Sequence, residues 1–133
     1  MGKSFLETRL DSNRPFYYTI GMIVTSSTPF TPEQIAHVKE RFGVYVKTVI
    51  DIKKKACSAG MDRHFEGEKI LLESGSHQSD IWGGGIDPET KEIDYNSFIN
   101  IRPQDNNMKN EIQSESVKKV FTDITTYFFS IVL

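Results

Sequence analysis

FTPEQIAHVKERFG, residues 30–43, constrains the fold more than any other stretch, because a helix with both of its ends is written into it. Thr31 is a good N-cap, Pro32 suits the first helical position, and Gln34 completes a T-x-x-Q capping box. Phe30 and Ile35 are spaced for a hydrophobic staple. Ile35, Val38 and Phe42 recur on one face, and Gly43 supplies a left-handed stop. The pattern predicts a helix over 32–42 with one apolar stripe, and such a stripe needs a partner layer.

The rest of the chain offers strands and a second helix. FYYTIGMIVT, 16–25, is β-branched and aromatic and reads as one strand. VYVKTVIDI, 44–52, reads as a strand with Val44, Val46, Thr48, Ile50 and Ile52 on one face; a helix running to about Ala56 is the alternative. SAGMDR, 58–63, reads as a loop, and KILLE, 69–73, as a short strand closed by SGSHQ. Ser79 to Ile86 is a strand ending in three glycines. DPETKE, 87–92, is a turn: Pro88 presets φ, and Lys91 takes the positive φ that glycine would adopt more readily. Residues 92–102 then return as the hairpin partner. A polar loop follows Pro103. Ser114 caps a helix over about 115–130, where Val117, Val120, Phe121, Ile124, Phe128 and Ile131 keep a 3–4 spacing. The expectation is an α+β fold: a mainly antiparallel sheet of about four to five strands with both helices on one face.

A chain of 133 residues fits one domain with a working core. Residues 1–15 are polar and aperiodic, so 1–21 reads as an N-terminal extension and 22–133 as a single domain starting at Met22. The net charge of −2 hides an imbalance: residues 1–63 carry +4 and residues 64–133 carry −6. The acidic half argues against nucleic acid as partner. The basic run Lys53, Lys54, Lys55 reads as a solvated strand end. The single cysteine, Cys57, excludes an intramolecular disulfide and fits a reducing cytoplasm. No secretory signal precedes Pro15. Tyr127 to Leu133 is apolar but spans seven residues, far short of the roughly 20 that cross a bilayer. It reads as the buried end of a helix or as an oligomer contact.

Candidate chemistry centres on NSFINIRPQDNN, 96–107. Strand alternation puts Phe98, Asn100 and Arg102 on one face and Ile99 and Ile101 on the other. Across the expected hairpin, Asp80 and Trp82 share a face and come near Asn100 and Arg102. One reading is a structural Arg–carboxylate pair. The other is a ligand pocket: Arg102 grips an anionic group, Trp82 is its apolar wall, and Asn106 and Asn107 make polar contacts from the loop. His64 and Glu68 share a side at i, i+4, and with Asp80 as a third ligand they form a candidate site for a divalent metal, although the spacing matches no zinc signature. No other cofactor motif is present. The triple glycine 83–85 lacks the Lys-Ser/Thr of a phosphate loop, and reads as a bulge or a close backbone approach beside Trp82. Ser74, Ser76 and Ser79 around His77 read as a polar turn.

Three stretches resemble an uncharacterised family of small prokaryotic proteins known as a numbered domain of unknown function: VIDI at 49–52, HFEGEKILLESGSHQSDIWG at 64–83, and INIRPQDNNMKNEIQ at 99–113. The likeness covers most of residues 44–113. It departs at SAGMDR, which is poorer in glycine than the family's loop, and before Met22. The resemblance implies a compact domain and assigns no activity and no catalytic residue. Two functions therefore follow from the residues themselves. One is a non-enzymatic binding or regulatory domain whose partner is a protein or a small anionic ligand. The other is a small hydrolase-like or metal-dependent enzyme using His64, Glu68 and Asp80, with Arg102 holding the substrate.

Overall fold

In the computed structural model, which describes residues 15–42 and 45–132, six strands form one antiparallel sheet. The strands are β1 (Tyr17–Ile20), β2 (Ile23–Ser26), β3 (Val46–Asp51), β4 (Ala56–Ala59), β5 (Ile81–Ile86) and β6 (Ile93–Asp94), in the order β1-β2-β4-β3-β5-β6. Three α-helices accompany them: α1 (Pro32–Phe42), α2 (His64–Glu73) and α3 (Glu115–Phe128). The fold is α+β, with one strand more than the sequence suggests.

Helix α1 begins as its capping box requires. Thr31 N–H donates to Gln34 Oε1 at 2.9 Å and Gln34 N–H donates to Thr31 Oγ1 at 3.1 Å. Gly43, Val44 and the side chain of Phe42 lie outside the described residues. Ser114 caps α3 by accepting from Val117 N–H at 3.2 Å. Both helices pack on one face of the sheet. There Ile35, Val38, Phe121, Ile124 and Phe128 meet Val46, Ile50, Cys57, Trp82 and Ile86. Phe30 sits against Phe128 and Phe129 with ring centroids 5.3 and 5.2 Å apart, which fixes the start of α1 to the end of α3. The apolar C-terminal run is thus the buried end of a helix at Phe128 and Phe129, while Ile131 stays exposed.

Four expectations are corrected. FYYTIGMIVT is not one strand but the hairpin β1–β2, turned at Gly21 with φ of 60°. SAGMDR is not wholly a loop, since Ser58 and Ala59 end β4, which pairs with both β2 and β3. KILLE is not a strand: it is the last half of α2. Helical spacing buries Gly67, Ile70 and Leu71, and Leu71 packs with Met61 and with Val49, Ala56 and Ile81 of the opposite sheet face. Gly67 allows that close seat, because a Cβ there would stand 2.5 Å from Met61 Cε and 3.0 Å from Val49 Cγ2. The sheet is therefore covered on both faces.

The fourth correction concerns the expected hairpin. The turn at 87–92 forms, with Asp87 N–H donating to Glu92 O at 2.9 Å and Lys91 at φ 68°. Its return strand, however, is only Ile93–Asp94, paired with Gly85 and Ile86. The chain then leaves the sheet, and Ser97 caps a 3₁₀ turn over Phe98–Asn100 by accepting from Ile99 N–H at 3.2 Å.

Candidate functional site

Leaving the sheet at Tyr95 strands the outer edge of β5, and side chains complete it. Asn100 is fully buried; its Oδ1 accepts from Gly83 N–H at 2.8 Å and its Nδ2 donates to Gly83 O at 2.9 Å. One side-chain amide thus makes both hydrogen bonds that a neighbouring strand residue would make. Two residues along the same edge, Arg102 Nη1 donates to Ile81 O at 2.7 Å. The i, i+2 spacing of Asn100 and Arg102 matches the spacing of the carbonyls that β5 turns outward, at Gly83 and Ile81.

Arg102 is 3% exposed, and its guanidinium lies 4.2 Å from the Trp82 ring centroid. Its Nε is 2.9 Å from Asp105 Oδ2. Burial pulls its pKa down, and the carboxylates of Asp105, Glu68 and Asp80 oppose that pull. Trp82 Nε1 and Arg102 Nη2 are buried without an acceptor among the described residues, beside the stacked contact of guanidinium and indole. Asn107, also buried, ties the loop. Its Nδ2 lies 2.8 Å from Asn100 O, 2.9 Å from Lys109 O and 3.0 Å from Glu111 O, and its Oδ1 accepts from Gln113 N–H at 2.8 Å. Asn106 is exposed and holds the left-handed turn at φ 59°.

The expected strand faces do not form, because residues 98–100 are a 3₁₀ turn and Ile99 packs against the core beside them. Asn100 and Arg102 point inward, while Phe98 is 80% exposed and Ile101 is exposed as well. Of the six candidate ligand residues, Trp82, Asn100, Arg102 and Asn107 are buried among protein groups. Asp80 ends a 3₁₀ turn over Gln78–Asp80 ahead of β5 rather than lying on the strand, and Arg102 takes Asp105 as its ion-pair partner in its stead. His64, Glu68 and Asp80 do not assemble: among the described residues no group of three or more His, Cys, Asp or Glu side chains could hold a metal ion.

A concavity lies instead on the α2 face of the sheet, where β5 has no side chains. Gly83 and Gly85 turn to the α2 side of the sheet by strand alternation, under Ser97 and His64 and under Tyr45. A Cβ at Gly83 would stand 2.7 Å from Ser97 Cβ and 3.1 Å from His64 Cδ2, so these residues rest on bare backbone. The triple glycine is thus the close approach that the sequence suggested. The cavity, about 470 Å³, is walled by Lys47 of β3 with Asp62, Arg63, His64 and Phe65 at the start of α2. Ser97, Phe98 and Ile99 close the other side. Phe65 is 53% exposed, so two aromatic rings stand in solvent at the rim.

His64 is the chemically informative wall. Its Nε2 is 2.7 Å from Gly84 O. A carbonyl only accepts, so Nε2 carries the proton and Nδ1 keeps its lone pair in the neutral ring. Burial lowers the His64 pKa, the Gly84 carbonyl raises it, Lys47 lowers it and Asp94 raises it. Tyr45, stacked over Gly85, donates to Asp94 Oδ2 at 2.5 Å, and burial pushes its pKa up. No carboxylate of the described residues stands within ion-pairing distance of Lys47 or Arg63.

Sequence reading missed Lys47, Arg63, Phe65 and Ser97 as site residues. Signals existed: Glu66 reaching back to Arg63 N–H at 2.9 Å marks the start of α2, and the glycines mark where other side chains can approach.

These features define a small α+β domain with a cleft between the start of α2 and the 97–99 turn and no assembled metal centre among its described residues. Residues 22–128 match the model of the family described as Protein of unknown function (DUF5674), and the chain belongs to that family. No curated protein and no solved structure matches it.

Proposed function

We propose that the protein is a non-enzymatic binding domain whose ligand is a small anion with an apolar body, held in the cleft between the start of α2 and the 97–99 turn. One observation carries this reading: a cavity of about 470 Å³ combines two cations that have no carboxylate partner among the described residues with two solvent-exposed phenylalanines at its rim. Volumes of a few hundred Å³ suit small molecules, and exposed aromatic surface at a concave site is the usual mark of a ligand. Lys47 and Arg63 supply the charge for a carboxylate or similar group, and Phe65 and Phe98 cover its apolar part. A cytoplasmic setting fits, because Cys57 is a buried free thiol.

The test is a titration of ¹⁵N-labelled protein with 3-phenylpropionate and with 3-phenylpropionamide, followed by amide shifts. The acid should move the signals of Lys47, Arg63 to Phe65 and Ser97 to Ile99 at roughly millimolar concentration, and the amide much less. Lys47→Ala with Arg63→Ala should erase the difference. Shifts confined to other parts of the surface, or none, would remove the cleft as a binding site.

A further inference from the structure

We propose that the ligand of this cleft presents an amide N–H one carbon away from its carboxylate, as an N-acylated amino acid or the last residue of a peptide does, and that His64 Nδ1 receives that N–H. The inference rests on the binding role proposed for the cleft and narrows its ligand.

The Gly84 carbonyl fixes the tautomer of His64. The Nε2 proton is committed to Gly84 O at 2.7 Å, which leaves Nδ1 as an acceptor. Nδ1 has no hydrogen-bond partner among the described residues, and it is not a buried unsatisfied atom, so it remains reachable by solvent or ligand. The two cations that line the cavity donate only. A purely anionic ligand satisfies Lys47 and Arg63 and offers nothing to the lone pair of His64 Nδ1. A ligand that carries a donor beside its anionic group satisfies all three. An amide N–H fits better than a hydroxyl, because it donates without offering a competing acceptor at the same atom. Phe65 and Phe98 then favour an apolar side chain on the carbon between amide and carboxylate.

The tautomer can be read first. Imidazole ¹⁵N shifts of the free protein should show Nε2 protonated and Nδ1 bare at His64; a proton on Nδ1 overturns the inference. Binding is then compared for N-acetyl-L-leucine, N-acetyl-N-methyl-L-leucine and N-acetyl-L-leucinamide. The N-methyl compound keeps the charge and loses the donor, and should bind about tenfold more weakly than the parent. His64→Gln, with a donor and an acceptor on one amide, should keep part of that discrimination, and His64→Phe should abolish it. Equal binding of parent and N-methyl compound overturns this inference but leaves the anionic cleft standing. No binding by any of them, together with no response to 3-phenylpropionate, overturns both. A tetrapeptide ending in leucine distinguishes the two sources: clearly tighter binding than N-acetyl-L-leucine assigns a chain terminus, and equal binding assigns the free acylated amino acid.

Discussion

Two polar neighbourhoods touch β5, one along its outer edge and one above its bare face, and they use their polar groups in opposite ways. At the edge, Asn100, Arg102 and Asn107 are buried, and their amides and guanidinium make most of their bonds to backbone carbonyls and N–H groups of the same chain. Above the face, Lys47, Arg63 and His64 Nδ1 have charge and lone pairs to offer outward, beside exposed Phe65 and Phe98. Polarity in an apolar segment is therefore not by itself a sign of a ligand. A buried polar group must find a partner, and where the backbone is short of partners the two needs cancel.

The comparison breaks most visibly at Asn100. Asn100→Ala leaves the Gly83 N–H and C=O unpaired in the interior, and should cost roughly 2–4 kcal/mol in urea unfolding. Asn100→Asp should be no better, since a carboxylate cannot donate to Gly83 O. Little loss would mean the edge has another partner. Asp105→Asn should cost about 2 kcal/mol. Breaking a fully buried ion pair costs roughly 3–5 kcal/mol, but Asp105 is partly exposed and Arg102 keeps its bond to Ile81 O. Gly83→Ala tests the seat of two walls of the cleft, Ser97 and His64. A Cβ there meets Ser97 and His64, so a loss of about 1–3 kcal/mol is expected, with ligand binding reduced as His64 is displaced.

Smaller effects sharpen the cleft side. The His64 pKa is lowered in the folded protein from the ordinary 6.5. The unfolded chain therefore binds the proton first as pH falls, and the contribution of His64 to stability is present above about 6.5 and declines below it. The slope of stability against pH in that acidic window should flatten in His64→Gln. An unchanged slope would show that His64 does not titrate differently on folding. Smallest of all, Arg63→Ala and Lys47→Ala should each leave stability within about 0.5 kcal/mol of the parent. A large loss from either would place these cations with the structural set and not with the ligand.

How far the sequence carries depends on whether a signal is local. Helix α1 was legible residue by residue, since Thr31, Pro32 and Gln34 act on backbone within one turn. The same holds for Ser114 and for Lys91 in the turn. Helix α2 was not, because KILLE is too short and too apolar for its period to decide, and the deciding contact is Gly67 on Val49 of β3, distant in sequence. Asn100 and Arg102 are legible as unusual, but neither the structural pair nor the ligand pocket that the sequence suggests names the β5 backbone as their partner. Strand alternation assumes that the polar side faces water, whereas here β6 stops at Asp94 and the polar side replaces it. Whether a neighbouring strand stops early is not written locally. The cleft was hidden for a related reason: its walls come from β3, the start of α2 and the 97–99 turn, and only the glycines under Ser97, His64 and Tyr45 announced that something would come close.

Amide hydrogen exchange at Gly83 tests the division most directly. If the Asn100 side chain completes β5, the Gly83 N–H should be protected like the central strand β3 in the parent protein, and should lose most of that protection in Asn100→Ala while Val49 and Ile50 keep theirs to the extent that global stability allows. A Gly83 N–H that exchanges in the parent as fast as an open sheet edge would contradict the account, and would return Asn100 to the set of residues free to meet a ligand.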